Sequence, residues 1–188
     1  IFKEIFKQAP PFDIRYEHFT IGGAKMSSSK GLGVTAKDMA DLLPANILKF
    51  LFIRTKAKRA IEFDPNGDAI PLLYDEFDRC AEEFGYDSRS DLGRAYFYSK
   101  IDETEPEIKY RLRFSKIANF LQMPRMDIFA YAAEEKARLL TPERNDGGQG
   151  AELSPAESQE IENRIQVAKT WLENYAPEAA KFAVQETL

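Results

Sequence analysis

The sequence predicts a mainly α-helical protein with a small mixed segment at its N-terminal end. Three observations lead there. From Ile70 onward apolar residues recur at helical spacing, with Leu73, Phe77, Cys80 and Phe84 standing four, three and four apart. Helix-starting residues stand in the right order, as in Ser154, Pro155 and Glu157. Before residue 60 the text changes, and an alternating stretch runs into a run of glycines and serines that a helix interior would not keep.

Taken in order, IFKEIFKQ within residues 1–12 reads as a short amphipathic helix stopped by Pro10 and Pro11. DIRYEHFTI alternates Ile14, Tyr16 and His18 against Arg15, Glu17 and Phe19, the period of a strand. GGAKMSSSKG, residues 22–31, follows as a mobile loop rich in donors. Thr35 with Asp38 forms a capping box for a short helix ending near Leu43. Pro44 suits the first turn of the next helix, ANILKFLFIRTK, which carries Ile47, Leu48, Leu51 and Phe52 on one side and ends in Arg54, Lys56, Lys58 and Arg59.

IEFDPNGDAIP is a breaker-rich connection whose turn Asp64 and Pro65 would fix. The main boundary is placed there, dividing 1–68 from 69–188. Beyond the first helical stripe, Phe114, Ile117 and Leu121 predict a second, capped by Ser115, and residues 125–140 continue helical. TPERNDGGQGAELSP is a polar loop. The helix opening at Ser154 presents Ile161, Ile165, Ala168 and Leu172, with Trp171 and Tyr175 beside that face. Pro177 starts a last helix that packs through Ala180 and Phe182. No internal repeat or heptad series emerges.

Composition narrows the function. With 188 residues, 44% of them apolar, the chain can bury a core as one domain or two small ones. The single cysteine, Cys80, excludes a disulfide within the chain and offers no thiolate cluster for zinc. The single histidine, His18, makes a histidine-built metal site an equally poor expectation. No apolar run approaches the ~18 residues that span a bilayer, and the start carries no signal-peptide pattern. It carries no initiator methionine either, so a fragment of a longer protein is expected.

The net charge of -5 hides an asymmetry. Residues 1–60 hold eleven Lys and Arg against five Asp and Glu, and residues 61–188 hold fifteen against twenty-six. A basic segment on an acidic body suits a polyanion held at one place rather than a protein coated in nucleic acid. Part of the 54–59 cluster needs no such explanation, because cations are favoured at a helix C-terminus.

In GGAKMSSSKG, Lys25 and Lys30 supply mobile point charge, while the serine hydroxyls and glycine-rich backbone supply donors close to the chain. That combination fits either a polyphosphate-binding loop or a solvated linker. It is not a Walker loop, lacking the G-x-x-x-x-G-K-[ST] order.

KMSSS also resembles the KMSKS signature of class I aminoacyl-tRNA synthetases. Together with RTKAKRAIEFDP, LYDEFDR and WLENYAPE, in order along nearly the whole chain, the text is similar to the class I lysyl-tRNA synthetases of archaea and some bacteria. The resemblance implies that residues 1–68 are the end of a catalytic domain plus a stem-contact region, and that 69–188 are a helical anticodon-binding bundle. The family's nucleotide-binding fold, its HIGH motif and any zinc site would lie upstream.

Carried over by position, Lys25 matches the first lysine of the signature, Met26 its methionine, Ser27 and Ser29 its serines, and Ser28 stands where a second lysine is usual. Lys30 would take up that missing charge. The resemblance thus implies Lys25 and Lys30 as the catalytic pair, with Met26, Ser27, Ser28 and Ser29 completing the ATP-phosphate loop. Given a tRNA partner, Arg54, Lys56, Lys58 and Arg59 are either phosphate contacts or a solvated helix end, and Arg113, Gln122 and Arg125 are RNA contacts by residue type alone. Phe114, Phe120 and Trp171 could stack on bases or lie in the core, and Arg111 has the same two readings.

The implied reaction is lysine–tRNA ligation (EC 6.1.1.6) in the cytoplasm. Lysine attacks the ATP α-phosphorus, pyrophosphate leaves, and the adenylate esterifies the terminal adenosine of tRNA-Lys. Magnesium accompanies ATP in the full-length enzyme, and no cofactor binds this fragment tightly. The partners are tRNA-Lys, with lysine and ATP met through the missing catalytic domain, and neither DNA nor membrane. A tRNA-binding module without catalysis and a glutamyl-type class I synthetase are the alternatives.

Overall fold

The computed structural model describes residues 4–9, 17, 19–21, 24–25, 36–56, 58–102, 108–140 and 152–182. Three short strands, β1 (Phe19–Ile21), β2 (Ala24–Lys25) and β3 (Ile61–Glu62), form one sheet in the order β2-β1-β3. β1 is antiparallel to β2 and parallel to β3. The crossover between β2 and β3 carries α1 (Ala36–Leu42) and α2 (Ala45–Ile53). After β3 come α3 (Ala69–Tyr86), α4 (Asp91–Ser99), α5 (Phe114–Phe120), α6 (Ile128–Leu140) and α7 (Pro155–Asn174), then a 3-10 turn at Glu178–Ala180.

The helical pattern of the sequence translates directly into burial. α3 turns Ile70, Leu73, Tyr74, Phe77, Cys80 and Ala81 inward, and Phe84 packs against the core from its edge. Pro71 is tolerated because it falls in the first turn, where its missing N–H has no helical partner to lose. α7 begins with a full capping box. Glu157 N–H donates to Ser154 Oγ at 3.2 Å, and Ser154 N–H donates to Glu157 Oε2 at 2.8 Å, with Pro155 opening the helix. α4 is a helix that the sequence pattern does not single out. Ser90 Oγ caps it by accepting from Gly93 N–H at 3.0 Å. Gly93 is required there, because a Cβ would lie 2.5 Å from the Asp87 carbonyl oxygen.

One hydrophobic core runs from Met39 to Ala176, with residues from both sides of Asp68. Phe50 of α2 meets Phe77 of α3 edge-on at 5.2 Å, and Tyr74 stacks on Phe114 at 4.6 Å. Trp171 is 4% exposed and meets Phe114 edge-on at 5.9 Å. The connection before α3 is bonded to the end of α7. Gly67, at φ 72°, donates its N–H to Tyr175 O at 3.0 Å and accepts the Trp171 indole N–H at 2.9 Å. Asp64 Oδ1 accepts from Asn66 N–H at 3.0 Å, the turn expected of that residue.

Arg164 is the largest polar side chain in this core, at 0% exposure. It donates from Nη1 and Nη2 to both Asp78 oxygens at 2.8 and 2.5 Å, from Nε to Glu160 Oε1 at 2.8 Å, and from Nη1 to Leu112 O at 3.0 Å. Its guanidinium lies 5.0 Å from the Tyr74 ring centroid. Burial works against the charge, but the Asp78 and Glu160 carboxylates outweigh it and hold the group ionised. One side chain thereby joins α3, α7 and the extended segment before α5.

Several expectations are corrected. Residues 4–9 form turns and bends, all exposed, rather than a helix; Lys7 sits at φ 53°, and with Ile5 and Phe6 left exposed so short a segment gains no burial to repay helix nucleation. Pro44 is the N-cap of α2 rather than its first residue, and the buried face is Ile47, Phe50 and Leu51, with Phe52 49% exposed. α2 stops at Ile53, so Lys56, Lys58 and Arg59 lie beyond its end. Arg113, not Ser115, occupies the N-cap of α5, and no side chain caps it. Residues 125–127 precede α6, Arg125 having φ 63°. The last helix shrinks to the 3-10 turn, and Phe182 is exposed. The strand at Phe19–Ile21 and the helix at Ala36–Leu42 agree with the sequence reading, though Thr35 and residues 141–151 lie outside the described residues.

Candidate nucleic-acid interface

The sheet joins the start of the lysine–serine segment to the strand that follows the 54–59 basic cluster. Thr20 of the central strand pairs with Lys25 on one side and with Glu62 on the other. Lys25 therefore stands at the end of an edge strand, its backbone fixed, rather than in a loop. Met26, Ser27, Ser28, Ser29 and Lys30 lie outside the described residues.

The second part is the turn between α2 and β3. Arg59 N–H donates to Lys56 O at 2.8 Å and closes it. Arg54, at the C-cap of α2, is ion-paired with Glu76 of α3 and is half-buried. Lys56, Lys58 and Arg59 are exposed, and among the described residues none of the three has an ion-pair partner. The four cations of this cluster thus separate into one bound to the fold and three available to solvent.

The remaining expected contacts are scattered. Arg113 is exposed at the start of α5, 3.6 Å from Asp75. Gln122, past the other end of α5, donates to Ala118 O and Ala180 O at 3.2 and 3.0 Å, while its Oε1 accepts the Phe182 N–H at 2.7 Å. Its amide therefore fastens the C-terminal segment. Arg125 is exposed on the turn between α5 and α6. Phe114 and Trp171 are core side chains, and Phe120 is half-buried, 4.6 Å from the Tyr131 ring. Neither Phe114 nor Trp171 can stack on a base without opening the core.

A groove of about 860 Å³ lies between α3, residues 109–113 and α6. Arg79, Lys109, Arg111 and Arg113 line it together with five carboxylates, those of Asp75, Glu76, Asp78, Glu82 and Glu135. Arg111 is partly committed: it donates to Tyr96 Oη at 2.8 Å and to Ile108 O at 3.0 Å. The Tyr110 hydroxyl is buried in the groove wall with no partner among the described residues, and burial pushes its pKa up, so it stays a neutral donor. Arg79 stands alone in acidic text, and only the packing of α3 against the 109–113 segment puts it beside Lys109, Arg111 and Arg113. A second groove, of about 270 Å³, lies between the end of α2 and α4.

Other chemistry is limited among the described residues. No three His, Cys, Asp or Glu side chains gather as metal ligands, and no helix is long and apolar enough to cross a membrane. Cys80 is buried, and burial raises its thiol pKa, which makes it a packing residue rather than a nucleophile.

Comparison with known proteins bears on the whole chain. The sequence profile of the family described as tRNA synthetases class I (K) matches residues 1–102. A lysine–tRNA ligase of Methanosarcina acetivorans is 34% identical over 193 residues, covering 99% of this chain and 32% of that protein. One from Methanosarcina barkeri is 30% identical over 191 residues with the same coverage, and one from Archaeoglobus fulgidus is 28% identical over 187 residues, covering 99% and 33%. The chain spans about a third of the length of the curated relatives it matches.

Proposed function

The chain belongs to the class I tRNA synthetases (K), and from that premise we propose that it forms the ATP-phosphate loop and the tRNA-binding part of a lysine–tRNA ligase. The observation that carries this reading is similarity to lysine–tRNA ligases over 99% of the chain, across both the strand-and-loop segment and the helices. In the whole protein, lysine is activated by ATP and transferred to tRNA-Lys in the cytoplasm. Lys25 and Lys30 meet the β- and γ-phosphates and stabilise the charge that moves onto departing pyrophosphate, with Ser27, Ser28 and Ser29 as short-range donors. Lys25 at the end of a hydrogen-bonded strand gives that loop a fixed base. Magnesium enters with ATP as its counterion.

Residues 1–68 act as the end of the catalytic domain and the stem-contact region. Lys56, Lys58 and Arg59 bind tRNA phosphates, which sets affinity and register but carries no sequence information. Residues 69–188 receive the anticodon arm, and the groove between α3 and α6, with Arg113 at its edge, takes its unpaired nucleotides. Its volume falls within the ~300–1000 Å³ of small-molecule sites. The test is aminoacylation by the full-length protein with lysine and tRNA-Lys against glutamate and tRNA-Glu. Charging of tRNA-Lys with lysine alone supports the reading, and charging with glutamate would replace it with a glutamyl-type enzyme.

A further inference from the structure

Three side chains of α4 share one face at helical spacing: Asp91, Arg94 and Tyr98. With Ala95 they line the 270 Å³ groove whose other wall is Ile53, Arg54 and Lys56 at the end of α2. Tyr98 is 53% exposed, its ring supported edge-on by Phe97 at 5.3 Å. Arg94 is exposed, and among the described residues its side chain and that of Lys56 have no hydrogen-bond or ion-pair partner. Arg54 on the same wall is bound to Glu76. Asp91 stands in the first turn of α4, where the helix dipole offsets its charge. The groove therefore holds an exposed aromatic ring and two uncommitted cations in one lining, and Lys58 and Arg59 follow Lys56 on the adjoining turn.

We propose that the α2–α4 groove binds one unpaired nucleotide of the RNA substrate, with its base or ribose against Tyr98 and its phosphate between Lys56 and Arg94. Every base has a face for an aromatic ring, so such a site holds RNA without reading its sequence, and the cations supply the phosphate contact. The charge favours a polyanion over an apolar protein surface: the groove and the adjoining turn carry Lys56, Lys58, Arg59 and Arg94 against Asp91 alone once the Arg54–Glu76 pair is set aside. α4 lies some thirty-five residues beyond the basic cluster in sequence, yet it lines the same groove as Arg54 and Lys56 of that cluster. The stem-contact surface thus extends onto the helical body. This assignment rests on the proposed tRNA-binding function.

The experiment measures binding of an unacylated tRNA-Lys transcript to the full-length protein at several salt concentrations. The variants are Arg94→Ala, Arg94→Glu, Tyr98→Ser, Tyr98→Phe and the double change Lys58→Ala with Arg59→Ala, each checked for an unchanged melting temperature. Arg94→Ala should lower the slope of log K against log salt by about one, and Arg94→Glu should weaken binding further. Tyr98→Ser should weaken binding about fivefold or more at an unchanged slope, and Tyr98→Phe should bind as the parent does.

Parent-like binding by Arg94→Ala and Tyr98→Ser, with binding lost only in the Lys58 and Arg59 double variant, overturns the groove assignment and leaves the tRNA-binding function standing. No binding of tRNA-Lys by the parent protein overturns both. Concentration-dependent self-association that Tyr98→Ser abolishes would assign the groove to a second copy of the chain instead.

Discussion

Arg54 is ion-paired with Glu76, and this single contact divides the basic cluster after α2 into one cation held by the fold and three that face solvent. The pair lies where the two grooves adjoin, since Arg54 lines the smaller and Glu76 the larger. Arg54→Ala should lower stability by about 1 kcal/mol, as expected for a half-exposed pair, and change the salt dependence of RNA binding little. Replacing Lys58 and Arg59 by alanine should do the reverse, reducing the salt slope by about two without moving the melting temperature. Paired binding and melting measurements on both variants check the division.

The Arg164 network should be the most sensitive polar site in the chain. Arg164→Ala removes the buried cation between Asp78 and Glu160 and leaves Asp78 only Arg111 at 3.9 Å, and a loss of about 3–5 kcal/mol is expected. Urea denaturation should show a lower midpoint at an unchanged slope.

Glu157 predicts an acid limb. Burial opposes its ionised form, but the Lys136 ammonium at 2.6 Å and the Ser154 N–H and hydroxyl overcome that and hold its pKa below the ordinary glutamate value. A carboxyl depressed in the folded state contributes stability that is complete above its unfolded pKa of about 4.3 and is lost as pH falls through the folded value. The melting temperature should therefore fall below about pH 4.3. Glu157→Gln should start lower at neutral pH and lose less on acidification.

Gly93→Ala tests the tight turn into α4. The added Cβ would meet the Asp87 carbonyl oxygen at 2.5 Å, and that atom belongs to backbone. A loss of about 1–3 kcal/mol is expected from the forced shift, readable by thermal melting, although alanine is the better helix former.

The helices that write their faces at regular spacing are legible from the residues alone. Ser154, Pro155 and Glu157 announce α7, and Leu73, Phe77 and Cys80 announce α3, because capping and apolar periodicity are local properties. What the residues do not announce depends on packing between distant segments. Arg164 reads as an ordinary polar residue until Asp78, eighty-six positions away, meets it. Tyr98 and Arg94 gain meaning only when α4 lies beside the end of α2. Phe50 and Phe52 fit a helix equally well, and only the position of α3 decides that Phe50 is the one inside. At the candidate site, the chemistry of Lys25 comes from motif text, while its place on an edge strand comes from pairing with Thr20.

The most direct test of the account is lysine-dependent pyrophosphate exchange by the full-length protein with Lys25→Ala and Lys30→Ala, alone and combined, beside tRNA-Lys affinity. Exchange should fall by about 10²–10³ in the single variants, the range for loss of one charge-stabilising donor, while tRNA affinity stays within about twofold. Exchange at the parent rate in the combined variant would contradict it.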